Sequence, residues 1–264
     1  NKNFNWNVTT AFTSYRNEIV KTGVTGVAGE QKNDIGRGRY VGTPINNIRT
    51  YVFDGIFQTD ADAINSAQGS LGGTITPFQN VATLLAGAIR LKDVNGDGRI
   101  NDDDQVIFAT DPKWFSSIST TVSYKSFDLL ADLYFVEGTM KINPYLSSFN
   151  EGGTLQSVRN GIKVDYWTPE NPSNTFPRPN YSAAPANVSS LGLRESSYVR
   201  LRTLSLGYNM QNSLLDKMKL SGLRVYITAS NLFTITDYKS YSPENNPNQF
   251  PDTKSFTFGL NIGL

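Results

Sequence analysis

Six stretches of this sequence alternate apolar and polar residues with a period of two, and the last ten residues do so without a single charge. From Ser255 the chain reads SFTFGLNIGL, so Phe256, Phe258, Leu260, Ile262 and Leu264 fall on one face of a strand and Ser255, Thr257, Gly259, Asn261 and Gly263 on the other. A strand face turned to bulk solvent is usually decorated with Lys and Glu. This one is small and uncharged, which suits a wet channel interior, while the large apolar face suits lipid. The pattern predicts an all-β fold, a transmembrane antiparallel β-barrel wall.

The other stretches obey the same rule. Phe4, Trp6, Val8, Thr10 and Phe12 oppose Asn3, Asn5, Asn7, Thr9 and Ala11 across a first strand at 3–16; Ile118, Thr120, Val122 and Tyr124 oppose Ser117, Ser119, Thr121 and Ser123 at 114–124. After a tight turn at Lys125-Ser126, Phe127, Leu129, Ala131, Leu133 and Phe135 face one way. Asp128, Asp132 and Tyr134 face the other, and two carboxylates in lipid would be prohibitive, so that face belongs to the lumen. Further strands are predicted at 198–210, with a phase slip between Leu201 and Leu204 that signals a bulge, and at 223–233.

The connections are of two lengths. Residues 17–113 and about 141–196 are long, polar and rich in Gly, Pro, Asn or Ser, whereas the link at Lys125-Ser126 is tight and the one before 223 moderate. Barrels of the outer membrane place long loops outside the cell and short turns in the periplasm, and a final strand running down to the periplasm puts both long regions outside. Six strands cannot close a membrane barrel, since roughly eight is the minimum and an open edge strands backbone polar groups in lipid. The expectation is that the remaining strands come from further sequence or from another chain.

Composition removes competing functions. With no Cys and no His among 264 residues, disulfide scaffolds, thiolate zinc sites and histidine-based catalysis are excluded. A formal charge of +1 without a long Lys/Arg run offers no footprint for nucleic acid. No window approaches the roughly 18 apolar residues of a membrane helix. The first residues lack a basic-then-apolar export signal, which an exported precursor would carry ahead of this sequence.

The sharpest local motif is DVNGDGRINDDD at 93–104, whose first half fits D-x-[DN]-x-[DN]-G. Asp93, Asn95 and Asp97 would supply side-chain oxygens at loop positions one, three and five. Gly98 permits the sharp turn, Arg99 offers a backbone carbonyl at seven, Asn101 sits at nine and Asp104 at twelve. Such an oxygen cage predicts Ca2+ as a structural staple. Asp in place of Glu at twelve, and no amphipathic helix on either side, separate the loop from a regulatory EF-hand; a metal-free Asp/Gly-rich turn is the bland alternative.

Other candidates are weaker. GRGRYVG at 36–42 lacks both the G-x-G-x-x-G spacing and a strand-helix unit. Asp128 and Asp132 stand four residues apart, about 13 Å at 3.3 Å per residue, too far for a glycosidase carboxylate pair at roughly 5–9.5 Å, and suit a polar lumen better. Tyr166 and Trp167 in DYWTPENP would stack on a sugar or a partner, or else anchor a Pro-rich loop by packing. Arg200 and Arg202 share a face, either lining the channel or pairing with neighbouring strands.

The segments YVFDGIFQT (51–59), IRLKDVNGDGRINDDDQVI (89–107), YKSFDLLADLYF (124–135), DYWTPENP (165–172), SSYVRLRTLSLGY (196–208), LRVYITASNLFTIT (223–236) and SFTFGLNIGL, in this order, resemble the C-terminal third or quarter of SusC/RagA-type TonB-dependent transporters of Bacteroidota outer membranes. The sequence departs from that pattern in closing on Leu264 rather than an aromatic, in the serines of DPKWFSSIST, and across 60–88. The resemblance implies a 22-stranded barrel, of which this would be about the last six strands. It also implies an N-terminal plug and a TonB-contacting segment elsewhere, a SusD-like surface lipoprotein as lid, and uptake of oligosaccharides or peptides without enzymatic chemistry. The competing class is a soluble or surface-attached calcium-stabilised β-sandwich that binds glycans, whose apolar strand faces would have to be internal. An extracellular hydrolase finds neither nucleophile elbow nor carboxylate pair.

Overall fold

A computed structural model describes residues 3–24, 32–68, 86–143, 146, 165–178, 187–211, 215–217, 219–245, 249–250 and 252–264. Its strands are β1 (Phe4–Ser14), β2 (Asn47–Thr50), β3 (Phe53–Ile56), β4 (Ile89–Leu91), β5 (Val106–Ala109), β6 (Trp114–Tyr124), β7 (Phe127–Glu137), β8 (Met140–Ile142), β9 (Leu193–Glu195), β10 (Tyr198–Asn209), β11 (Gly222–Ile235) and β12 (Ser255–Gly263). Two short helices, α1 (Asp60–Asn65) and α2 (Val188–Gly192), complete the regular structure. Among the described residues no helix is long and apolar enough to cross a membrane. The chain divides into two compact units.

The first unit, residues 1–16, 111–139 and 195–264, is built on one antiparallel sheet of six strands in the order β1-β6-β7-β10-β11-β12. Its strands are the six that the alternation predicts, with ends that differ by a few residues. Register makes the two faces explicit. One transverse row runs Thr9, Ser119, Asp132, Thr203, Ser230, Ser255, every member polar; the adjoining row on the opposite face runs Val8, Thr120, Ala131, Leu204, Ala229, Phe256. The apolar face carries large exposed side chains, with Trp6 64% exposed and Phe258 77% exposed. In a β-sandwich such side chains would form the internal core, so the sandwich alternative is set aside and the sheet is a barrel wall with its apolar side to lipid.

Aromatic residues bracket that apolar face. Phe12 and Trp114 stack at 5.7 Å between centroids near one end, and Phe127 and Tyr208 meet at 4.8 Å near the other, beside Tyr124. From Trp114 to Tyr124 the strand runs about 34 Å, which at a tilt of 35–45° spans about 25 Å, the height of an outer-membrane apolar band. At the Tyr124 end, β6 and β7 are joined through Lys125, whose φ of 53° is the left-handed geometry that a two-residue hairpin requires.

Two irregularities interrupt the ladder. Leu201 pairs with Leu133 and Thr203 with Asp132, so β10 holds one extra residue, Arg202, against β7. On its other side Leu201 pairs with Phe233 and Thr203 with Ser230, so β11 holds one more again, and Asn231 there adopts a φ of 51°. This is the bulge that the phase slip predicts. Both long connections leave and re-enter the sheet at its Trp114 end: Ser14 pairs with Trp114, and Glu137, the partner of Trp114, closes β7 beside Val136, the partner of Tyr198.

The second unit covers residues 17–110 and 140–194. Its short ladders pair β2 with β5 and β3 with β4, strands far apart in sequence. Ile56, Ile89, Leu91, Ile100, Trp167 and Leu191 form its apolar core, with Tyr51, Phe53 and Phe176 packed against them. A third ladder joins β8 and β9.

Candidate functional site

The polar face of the six-stranded sheet carries two arginine-centred arrangements. Nearer the hairpin end, Arg224 of β11 reaches across β10 to Asp128 of β7, with Nε to Oδ1 at 3.1 Å and a terminal nitrogen to Oδ2 at 2.5 Å. Asn209 donates a further bond to Asp128 at 3.0 Å. The path lies over Gly207, the register partner of both Asp128 and Tyr226; a Cβ at Gly207 would fall within 2.7 Å of both the guanidinium and the carboxylate. Only a residue without a side chain leaves room for this bridge. Tyr226 likewise covers Gly259 on β12, with Arg224 lying against its ring.

Nearer the Trp114 end, Arg200 of β10 is 4% exposed and donates to Thr234 Oγ1 at 3.0 Å, Glu244 at 2.6 Å and Asp252 at 2.7 Å. Glu244 and Asp252 sit on the outgoing and returning limbs of the β11–β12 connection, so one guanidinium ties both limbs to the wall. Asp252 also accepts from Ser242 at 2.8 Å and Asn245 at 3.0 Å. Burial raises its carboxyl affinity for protons, but the Ser242 hydroxyl, the Arg200 charge and the Asn245 amide outweigh it and hold the group below the usual carboxylate range.

Beside this hub runs an aromatic row. Phe115, Tyr134 and Tyr198 lie at successive centroid separations of 6.2 Å, Arg200 sits over Tyr198, and Arg202 lies over Tyr134 at 3.3 Å from the ring centre. Asp132 stands on the same face in the row of Thr203 and Ser119, and among the described residues it makes no ion pair. Of the sequence candidates, then, Asp128 is held by Arg224 while Asp132 faces the lumen with no ion pair among the described residues. Arg224, Gly207, Glu244 and Asp252 were not singled out from sequence. A glycine in the polar phase of a strand is the available signal for the first pair; the loop carboxylates carry none.

In the second unit, the 93–104 loop is organised by its own carboxylates. Asp93 accepts from the N–H groups of Gly96 at 2.7 Å and Gly98 at 2.8 Å, Asn95 from that of Asp97 at 3.0 Å, and Asp97 from that of Arg99 at 2.8 Å. Gly96 and Gly98 take φ of 74° and 78°, a turn other residues would strain to make. Asn101 accepts from Asp103, and the buried Asp104 accepts from Val94 and Asn101, tying the two ends of the loop together. The first half keeps the oxygens of Asp93, Asn95 and Asp97 on one tight turn with lone pairs to spare, which fits a hard cation. Asp104 is committed to backbone N–H groups instead, and among the described residues no three acidic side chains converge.

Trp167 is 8% exposed in the core of this unit, its indole N–H donating to Gln58 at 3.0 Å. Tyr166 beside it is 44% exposed, and is the member of the pair that presents an aromatic ring to solvent. Asp165 accepts from Asn171 at 2.8 Å, and that bond, with those from Ser173 and Thr175, holds its carboxyl below the usual range.

Sheet, girdles and polar inner face define a class first: a segment of β-barrel wall from a bacterial outer membrane. The comparisons narrow it. The chain is 26% identical over 99% of its length to TonB-dependent receptor P3 of Formosa agariphila and 29% identical over 67% to TonB-dependent receptor P26 of the same bacterium. It spans 27% and 20% of those two relatives. No family model matches it. Its fold superposes over its full length on 28% of a chain in the structure of the RagAB peptide transporter, with a TM-score of 0.70 and 23% identity. RagAB in its open-open state gives 0.69 and 21%. The chain is similar in sequence to TonB-dependent receptors and shares the barrel fold of the RagAB structures, which places it in the bacterial outer membrane.

Proposed function

We propose that this chain supplies wall and outer loops to a TonB-dependent importer that takes up oligosaccharides or peptides beneath a SusD-like surface lipoprotein. The observation that carries this reading is the six-stranded sheet itself, with an all-polar inner row, an exposed apolar outer face and register edges at β1 and β12 that further strands must satisfy in lipid. On this reading a plug, further strands and a TonB contact complete the importer, in keeping with a chain that spans 27% and 20% of its two relatives. The chain's own contribution is mechanical: a lumen surface, a loop tied down through Arg200, and the 93–104 loop, which we propose binds Ca2+ through Asp93, Asn95, Asp97 and the Arg99 carbonyl. Asp93 and Asp97 would supply its charge, and the ion would stiffen the outer region without taking part in chemistry.

The test is uptake by cells. A strain lacking the complete protein is expected to lose TonB-dependent accumulation of fluorescent oligosaccharides or peptides, and the purified protein to retain a lipoprotein. Unchanged uptake of every such solute, with no lipoprotein bound, would overturn the reading.

A further inference from the structure

Arg200 and Arg202 sit two residues apart on one strand, yet only one of them is used by the fold. Arg200 is buried and spends its guanidinium on Thr234, Glu244 and Asp252. Arg202, the extra residue that the bulge inserts against β7, makes no ion pair among the described residues; the contact it makes is with the face of Tyr134.

A guanidinium lying flat on a ring satisfies its plane and leaves its edge N–H donors pointing outward, the fork that recognises a carboxylate with two parallel bonds. The position is rigid for reasons already on the sheet. Tyr134 is set between Phe115 and Tyr198, Tyr198 lies under Arg200, and Arg200 is held by the two loop carboxylates. Ordering an arginine side chain normally costs binding energy; here the fold has already ordered it.

Resting on the importer reading, we infer that Arg202, Tyr134 and Phe115 form a solute-binding subsite on the lumen wall for a carboxylate-bearing solute. The carboxylate meets the free edge of Arg202 and the body of the solute lies against the aromatic row. Asp132, one row away and with no ion pair among the described residues, accepts a hydroxyl or ammonium of the same solute and disfavours a second carboxylate there. The chemistry is common to two sources, a uronic acid sugar and a peptide with a free or side-chain carboxylate.

The experiment uses the complete transporter purified from outer membranes in detergent, with calorimetric titration in two arms. One arm compares trigalacturonate with its methyl ester, the other Ala-Ala-Glu amide with Ala-Ala-Gln amide. In at least one arm the acid is expected to bind about tenfold or more tighter than its neutral twin, the usual yield of a bidentate charged bond, and that arm names the source. R202Q should erase the preference, bringing the acid down to the affinity of its neutral twin, and R202K should keep a part of it. Should R202Q not assemble, R202K and Y134L carry the same readout, each with a reduced preference. Equal affinity for acid and neutral twin in both arms, or an undiminished preference in the variants, overturns the subsite. Unchanged uptake in a strain lacking the protein, with the binding preference intact, would count against the importer reading alone.

Discussion

Arg224 and Asp128 bridge two strands that do not touch, over the bare backbone of Gly207. The pair binds three neighbouring strands through one lumen-side contact, and both side chains are mostly covered. Asp128→Ala is expected to lower unfolding stability by about 1–3 kcal/mol, because it leaves a half-buried guanidinium without its partner. Gly207→Val should cost a similar amount by pushing the bridge apart. A double-mutant cycle on Asp128 and Arg224, followed by urea unfolding of the complete protein in lipid vesicles, checks this; additive losses would show the pair to be uncoupled.

Neighbouring residues on one strand should respond oppositely to charge. Val8 is in the apolar row and Thr9 in the polar one. Val8→Arg is expected to cost about 2–4 kcal/mol near the membrane midplane, and Thr9→Arg less than about 1 kcal/mol. Folding of the two variants into bilayers, scored by heat-modified gel mobility and urea midpoint, gives the comparison; equal penalties would mean the faces are misassigned.

The β11–β12 connection should hold fast at neutral pH and loosen in acid. Asp252 is depressed in the folded protein, so its contribution is fully present above the unfolded value of about 3.9 and is lost as pH falls through the lower folded value. Limited proteolysis of the 236–254 segment with an acid-active protease should accelerate only below about pH 4. Arg200→Gln should make the same segment cleavable at every pH. A segment cut equally fast at pH 5 and pH 3 would dissociate its anchoring from the Asp252 carboxylate.

If the 93–104 loop takes calcium, 1 mM CaCl2 should protect it from proteolysis and EDTA should remove that protection. Asp93→Asn combined with Asp97→Asn should behave as the chelated protein does, since two of the charged ligands are gone. Protection that survives both treatments would leave the loop as an Asx-turned hairpin held by Asp104.

The spanning strands were legible because each writes its two environments into alternate residues, and the bulge was legible because Leu201 and Leu204 break that alternation by one. The second unit was not. Residues 53–56 pair with 89–91 and 47–50 with 106–109, strands of three or four residues too short for a period to show and joined across long separations. Trp167 illustrates the same limit at the site: an aromatic in a Pro-rich loop reads alike whether it faces a solute or, as here, fills a core. The Arg224 bridge needed register, which sequence spacing alone does not supply, and Arg200 needed acidic partners from a loop 44 and 52 residues further on.

The staggered bulges give this wall a property of growth. Both lie between the aromatic girdles, and the faces stay matched across them, Leu201 against Leu133 and Thr203 against Asp132, so a strand takes in a single residue without turning its apolar side inward. They act as expansion joints, and Arg202 is what was placed in one of them: a side chain acquired halfway along the wall with no rewriting of the strand on either side of it.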